Sequence, residues 1–167
     1  MKHQPSPDTF HPGQHFQMLD EVVHDPYLDR KKLAEPSTCS DCGATYCKGS
    51  WKWGAAPENT HAAICPACKR IRENLPAGYV TIKGAFAREH IDEILELVRH
   101  FAAHQKMEHP LKRIIAISEV DNGDQLITTT DIHLARGIGE ALHKAHKGEL
   151  NYHYNHAEYL LRVKWER

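Results

Sequence analysis

The sequence predicts an α+β protein in two parts, and three observations lead to this prediction. Two Cys-x-x-Cys pairs lie within one short segment, and the chain after them alternates between two-residue and three-to-four-residue apolar periods. Those periods follow one another in the order β-α-β-β-α-β, with one further strand at the end. Helices with a single apolar stripe cover one face of a sheet, so we expect a ferredoxin-like sandwich with an extra C-terminal strand.

The chain of 167 residues divides into three segments. Residues 1–24 are rich in Pro, His and Gln without a sustained apolar period, which predicts a flexible N-terminal arm. Residues 25–78 carry both cysteine pairs, and residues 79–167 carry the apolar periods. The formal net charge of -1 excludes attraction to nucleic acid or membrane by overall charge alone. No apolar run approaches the roughly 18 residues that cross a bilayer, and no signal peptide is visible, so we expect a cytoplasmic protein without a membrane anchor.

Residues 25–78 are expected to fold around a metal ion. Cys39 and Cys42 form one Cys-x-x-Cys pair, Cys65 and Cys68 form the other, and 22 residues separate the pairs. Two residues between thiols let both sulfurs reach one ion, and four thiolates complete a closed tetrahedral site with no position for a reactive water. A segment this small also needs a metal or a disulfide to fold. The sequence therefore predicts a zinc ribbon that holds a structural Zn(II) ion.

Paired redox thiols are the alternative interpretation of the cysteines. Redox Cys-x-x-Cys centres usually occur singly, at a helix start after a strand, so two matched pairs favour a metal. Cys47 and His61 lie between the pairs, and we leave both out of the ligand set. Cys47 is expected to be a partly buried thiol in a hairpin at residues 44–53, and His61 an exposed loop residue.

The first half of the sandwich begins with a strand. Val80, Ile82 and Phe86 are apolar at even spacing, which is typical of a half-buried strand. The next apolar residues have helical spacing, and this helix is predicted to end near Gln105 because Pro110 disfavours helical geometry before it. The residues of that helical stripe are Ile91, Ile94, Leu95, Val98, Phe101 and Ala102.

The second half begins with a predicted hairpin of residues 112–120 and 126–130, whose turn at residues 121–124 reads Asp-Asn-Gly-Asp. Asp131 or Thr130 can cap the following helix, and Gly148 suits its C-terminal end. The last two predicted strands have apolar and aromatic residues at alternate positions and are joined by a turn at residues 155–156. These residues are Leu150, Tyr152, Tyr154, Tyr159, Leu161, Val163 and Trp165. We expect the aromatic residues among them to form core, and both helices to cover one face of an antiparallel sheet.

Cations and flat rings alternate around the ribbon, a mixture that suits phosphate contact and base stacking. The expected contact residues for RNA or a partner are Lys48, Trp51, Lys52, Trp53, Lys69, Arg70 and Arg72. Residues 39–78 hold five basic and three acidic side chains, but four thiolates with one Zn(II) carry two negative charges that cancel this surplus. In the alternative interpretation, the Trp residues pack the ribbon onto the neighbouring domain and the cations are solvated.

Catalysis has no positive support in the sequence. We find no Ser-His-Asp set, Walker loop or dinucleotide fingerprint, and a ferredoxin-like fold implies no reaction. His100 and His104, and likewise His143 and His146, have helical spacing that could hold a metal. They fall on or beside polar helix faces, so we expect solvated histidines and a protein that is not an enzyme.

Five runs resemble a little-characterised bacterial zinc-ribbon family: TCSDCGATY at 38–46, KGSWKW at 48–53, CPACKR at 65–70, PAG at 76–78 and TTTDIHLAR at 128–136. The likeness spans residues 25–167. That family is in turn similar to the amino-terminal part of the archaeal and eukaryotic large-ribosomal-subunit export adaptor, through the cysteine pairs and the β-α-β-β-α-β order alone. The resemblance implies a zinc-dependent protein that binds ribosomes or their RNA, and it does not extend to nuclear transport.

Two functions are therefore expected from the sequence. The first is a non-enzymatic zinc-binding protein that docks to ribosomal RNA or the translation machinery. The alternative is a zinc-stabilised protein–protein interaction module without nucleic-acid binding, which could pair with another protein or form a homodimer along the edge of the terminal hairpin.

Overall fold

The computed structural model describes Asp25, Tyr27 and residues 33–167. The predicted arm at residues 1–24 lies outside the described residues. The described part is a mixed α+β structure with two sheets and four α-helices. None of these helices is long and apolar enough to cross a membrane.

The smaller sheet and one helix form the cysteine-bearing part, called the ribbon below. Strand β1 pairs antiparallel with β2 and parallel with β4, and the sheet order is β3-β2-β1-β4. The β2–β3 hairpin lies within the segment predicted to form one. The element bounds are β1 (Ser37–Cys39), β2 (Thr45–Cys47), β3 (Ser50–Lys52), β4 (His61–Ala63) and α1 (Pro66–Glu73).

The larger sheet has the strand order β6-β7-β5-β9-β8. Its strands are β5 (Gly78–Lys83), β6 (Ile114–Glu119), β7 (Gln125–Thr129), β8 (Glu149–Asn155) and β9 (Leu160–Glu166). Strand β5 pairs antiparallel with β7 but parallel with β9, so the sheet is mixed and the prediction of an antiparallel sheet was wrong. The last strand lies inside the sheet, between β5 and β8, and β8 takes the edge position.

Three helices belong to this larger part, called the sandwich below: α2 (Ala85–Glu89), α3 (Ile91–Glu108) and α4 (Ile132–His146). The prediction that Phe86 continues the first strand was wrong, because the chain turns at Gly84 and Phe86 lies in α2. Gly84 has a φ of +103, and an added Cβ would lie 2.2 Å from the carbonyl oxygen of Arg167. The long helix α3 runs a few residues past Gln105 and ends before Pro110.

The predicted turn and the predicted N-terminal cap of α4 are confirmed. Asn122 and Gly123 have φ angles of 63 and 76, as the β6–β7 turn requires. The Asp131 carboxylate accepts a 2.8 Å hydrogen bond from the amide of Leu134 at the start of α4. At the other end of α4, the C-cap is Lys147, with a φ of 62 and an amide that donates to the carbonyl oxygen of His143, and the predicted Gly148 follows it with a φ of +86.

The sandwich core lies between the sheet and helices α3 and α4. Tyr152 and Trp165 are buried in it, and Tyr154 and Tyr159 pack against it, which confirms the core interpretation of the terminal aromatic residues. Tyr159 was predicted to lie on the return strand, but it lies in the β8–β9 turn with a φ of 48. This turn covers residues 156–159 instead of the predicted 155–156, because β8 continues through Asn155. The largest fully buried side chains are Trp165, Ile82, Ile94, Ile127, Ile132, Leu134, Ile138, Leu142, Val80, Val98 and Val163.

Candidate metal centre

The first cysteine pair is shaped by the end of β1 and a tight turn. Cys39 is the last residue of β1, and its amide donates a 2.8 Å hydrogen bond to the carbonyl oxygen of Ala44. Gly43 has a φ of +76, which an L side chain rarely adopts, and its amide donates to the carbonyl oxygen of Cys39 at 2.9 Å. The turn therefore brings Cys42 back beside Cys39.

The second pair lies at the start of α1. Cys65 is the N-cap of this helix, Pro66 follows it, and the Cys65 sulfur accepts a 3.4 Å hydrogen bond from the amide of Cys68. The parallel pairing of β1 with β4 places Ala63 opposite Cys39. The amide of Cys65 thus reaches the Cys39 sulfur at 3.3 Å, and the strand pairing joins the two cysteine pairs.

All four sulfurs of Cys39, Cys42, Cys65 and Cys68 lie within 4.8 Å of one another. A tetrahedral ion with metal–sulfur bonds of about 2.3 Å needs sulfurs about 3.8 Å apart. The Cys42 and Cys65 sulfurs are separated by 3.8 Å, so the cluster has the dimensions for one ion. Three of the four cysteines are buried, and Cys42 is half-buried, so an ion held by the four sulfurs would be enclosed by protein.

Arg113 of the sandwich completes the surroundings of the cluster, and sequence reasoning missed it. Its guanidinium donates to the sulfurs of Cys42 at 3.0 Å, Cys68 at 3.2 Å and Cys65 at 3.5 Å. Burial opposes the charge of Arg113, but its hydrogen bonds to Cys68 and Cys42 outweigh that cost and raise its pKa. No local pattern distinguishes Arg113, because a cation before an apolar strand is an ordinary feature of sequences.

The thiols differ in their affinity for protons. Burial opposes the charge of the Cys39 thiolate, but the amides of Cys65 and Cys42 outweigh it, and the pKa of Cys39 falls to about 7. Burial raises the pKa of Cys65 well above its usual range. Burial also raises the pKa of Cys68, although Arg113 partly offsets it. A metal ion binds thiolates, so its binding must displace protons from this cluster.

Other candidate ligands lie outside the cluster. Cys47 is half-buried in β2, and His61 is exposed at the start of β4. Within the part of the chain that the structure describes, the four cysteines are the only group of three or more potential ligands close enough to share an ion. The paired histidines of α3 and α4 therefore do not join a comparable group.

The two tryptophans of the predicted contact surface have structural contacts. Trp51 is buried in the ribbon, and its ring centroid lies 5.4 Å from that of Tyr46. Trp53 is 37% exposed, and its indole nitrogen donates a 2.6 Å hydrogen bond to the carbonyl oxygen of Lys106 in α3. These contacts support the alternative in which the Trp residues pack the ribbon and hold it against the sandwich.

The predicted cations have different surroundings. Lys48 and Lys52 are exposed on the β2–β3 hairpin, and Lys69 is half-buried on α1. Arg72 is exposed and pairs with the carboxylate of Asp41. Arg70 is only 3% exposed, which removes its side chain from any contact surface.

Arg70 instead stabilises the ribbon. Its guanidinium pairs with Asp25 at 2.6 Å, donates to the carbonyl oxygen of Leu75 at 2.9 Å and lies 4.2 Å from the ring centroid of Tyr27. These contacts hold Asp25 and Tyr27 against α1.

A cleft of about 480 Å³ opens between the ribbon and the segment before β6. Tyr27 and Tyr46 supply half-buried aromatic surface, Lys69 and Lys112 supply cations, and Asp131 contributes a carboxylate. This volume lies within the range of ordinary ligand pockets.

The chain matches no protein-family model, no curated protein and no solved structure.

Proposed function

We propose that the cluster holds Zn(II) as a structural ion in a cytoplasmic protein that is not an enzyme. Four clustered thiolates suit zinc, and a closed set of four protein ligands leaves no position for a reacting water. Zinc would supply the stability that a large apolar core, which the ribbon lacks, provides in other domains. We further propose that the sandwich is a ferredoxin-like fold in which β9 is inserted beside β5.

The zinc ribbon, in this proposal, docks to ribosomal RNA or the translation machinery. The observation that carries the proposal is the cation-rimmed aromatic cleft beside the cluster, with Lys69 and Lys112 on its wall. Lys48 and Lys52 extend the cationic surface along the neighbouring hairpin. Lysines bind phosphates as point charges, and aromatic faces accept stacked bases. The cysteine-bearing runs resemble a bacterial zinc-ribbon family, and because of this resemblance we propose that the RNA is ribosomal.

Arg113 also lessens the electrostatic objection to RNA binding. Four thiolates and one Zn(II) carry two negative charges, and the buried guanidinium of Arg113 compensates one of them. The contact set becomes Lys48, Lys52, Lys69, Lys112 and the exposed face of Trp53, with Arg72 at its margin. Arg70 is left out because it is buried.

Sedimentation with purified ribosomes at two salt concentrations tests this function, followed by a salt titration of ribosomal RNA binding. Phosphate contacts predict a steep loss of affinity with salt, and Lys112→Ala, on the wall of the cleft, should reduce the slope by about one unit. Lys144→Ala is the matched control, because Lys144 is exposed on α4 and does not line the cleft. Absence of sedimentation at both salt concentrations would overturn the proposed RNA docking.

A protein-interaction module is the second candidate, and the sheet order favours it. Strand β8 lies at one edge of the larger sheet, with one side of its main chain unpaired within the described residues. An exposed edge strand can pair with a strand of another chain or with a second copy of this one. Concentration-dependent dimer formation without RNA binding would favour this candidate, and a proline at an outward-facing β8 position should abolish that dimer.

A further inference from the structure

We infer that Arg113 is a positioning residue of the metal centre, through which the sandwich controls the affinity of the ribbon for its ion. This inference rests on the proposed zinc site and is independent of RNA docking. The four ligands all belong to the ribbon, whereas Arg113 directly precedes strand β6 of the sandwich. The metal centre therefore extends across both parts of the chain.

The guanidinium is held by the sandwich and directed at the sulfurs. Its Nε donates a 2.7 Å hydrogen bond to the carbonyl oxygen of Pro110, and the main-chain amide of Arg113 donates to Thr130 Oγ1 at 2.9 Å. The two terminal nitrogens are left for Cys68 and Cys42, with Cys65 the third acceptor. A planar guanidinium can donate to several sulfurs from one fixed position, which the ammonium of lysine cannot reproduce.

Charge explains why this contact matters for the ion. Arg113 is 8% exposed, so little water compensates the thiolates on that side of the cluster. A buried set of four thiolates around a divalent ion retains two negative charges, and a buried cation in contact with three of the sulfurs lowers the cost of that charge. N–H donors also orient sulfur lone pairs without displacing the ion, as outer-shell groups do at metal sites generally.

Contact between the ribbon and the sandwich is therefore linked to ion binding. When the ribbon separates from the sandwich, its thiolates lose this cation, and when the ion leaves, Arg113 loses partners that hold the two parts together. Trp53 reinforces the same junction, because its ring centroid lies 5.8 Å from the guanidinium carbon of Arg113.

Competition for zinc against a chromophoric chelator tests the inference with Arg113→Met in the full chain. We expect about a 10- to 100-fold loss of zinc affinity, as for other outer-shell groups. Arg113→Lys should recover part of this loss, because it restores charge without the planar fork. Arg88→Met is the control: Arg88 pairs with Asp124 within the sandwich at 3.1 Å and makes no hydrogen bond to the four sulfurs in the described structure. An Arg113→Met affinity equal to that of Arg88→Met would overturn the inference.

A second readout separates positioning from general destabilisation. With Co²⁺ in place of zinc, the thiolate-to-metal charge-transfer band reports the electron density on the sulfurs. Arg113→Met should shift this band to lower energy because its thiolates lose N–H donors, and Arg88→Met should leave the band unchanged. An unshifted band in Arg113→Met would contradict the assigned role.

The wild-type protein keeps the inference testable if the variants fail to fold. The side-chain N–H protons of Arg113 should exchange slowly with water when the protein is zinc-loaded and rapidly after chelation. Fast exchange in the loaded protein would overturn the inference. A wild-type protein that binds no zinc would instead overturn the proposed zinc site, so the two failures are distinguishable.

Discussion

The indole nitrogen of Trp53 donates a 2.6 Å hydrogen bond to the main-chain carbonyl oxygen of Lys106. Trp53 directly follows strand β3 of the ribbon, and Lys106 lies in the last turn of α3. The last carbonyl groups of a helix have no partners within it, so this donor satisfies a group that would otherwise need water. The bond joins the ribbon to the sandwich at a helix end.

Replacing Trp53 with Phe should weaken this junction without disturbing the ribbon interior. The variant keeps a ring but loses the hydrogen bond, which contributes about 1 kcal/mol. We expect faster amide hydrogen exchange in the last turn of α3, measured by NMR on the zinc-loaded protein. Lys106→Ala is the control, because it leaves the acceptor carbonyl in place. Equal exchange rates in Trp53→Phe and wild type would contradict the structural role.

Loss of the metal should unfold the ribbon and leave the sandwich folded. Cys65→Ser removes one ligand, and zinc binding contributes about 10 kcal/mol or more to the stability of such a module. We expect elemental analysis to find less than stoichiometric zinc, and NMR to retain the signals of residues 78–166. Cys47→Ser is the control, since Cys47 lies outside the cluster. Full zinc retention in Cys65→Ser would refute the ligand assignment.

Gly139→Ala should destabilise the sandwich even though alanine favours helices. An added Cβ would lie 2.6 Å from Val163 Cγ1 and 3.0 Å from Leu150 Cδ1, both in the packed core. Overpacking costs about 1–3 kcal/mol and helix propensity returns about 1, so we expect a net loss of about 1 kcal/mol in urea unfolding.

Gly137→Ala is the matched comparison on the same helix. Its Cβ would meet only the end of the Phe101 ring, at 2.8 Å, and Phe101 is half-buried and can move. We expect anything from no change to a gain of about 1 kcal/mol. Equal losses in both variants would mean that packing against the sheet does not explain Gly139.

Asp25→Ala should destabilise the ribbon strongly, because it leaves the guanidinium of Arg70 buried without its carboxylate. The two side chains are 4% and 11% exposed, and breaking a buried ion pair costs about 3 kcal/mol. Urea titration of the zinc-loaded protein, followed through the amide signals of β1 to β4, measures this loss.

The control for the Asp25 variant is Asp41→Ala. Asp41 pairs with Arg72, whose side chain is 59% exposed, so its loss should cost less than about 1 kcal/mol. A double-mutant cycle of Asp25→Ala with Arg70→Met should give a coupling energy of about 1–3 kcal/mol. A coupling near zero would show that Arg70 is stabilised by its other contacts alone.

Features set by neighbouring residues were predictable. The spacing of Cys39 with Cys42 and of Cys65 with Cys68 indicated a shared ion, and the structure clusters their sulfurs. The cap at Asp131 followed from residue type, because its bond reaches only three positions along the chain.

Features set by packing were less predictable. The period-two pattern predicted that the first strand continues through Phe86. In the structure the chain turns at Gly84, whose backbone lies so close to Arg167 that a Cβ would not fit. The same pattern marked the last strand as buried on alternate positions but did not reveal its parallel partner, β5, because strand order depends on the whole sheet.

The sequence by itself predicted the two cysteine pairs that cluster, the main strand and helix segments of the sandwich, and the turn at residues 121–124, since each depends on residues a few positions apart. Only the tertiary structure decided that Arg113 contacts Cys42 across 71 positions and that Arg70 is buried beside Asp25. Local patterns record which way a side chain faces within its own element. The partner that it meets depends on how separate elements pack, because long-range charge pairing and burial are properties of the folded chain.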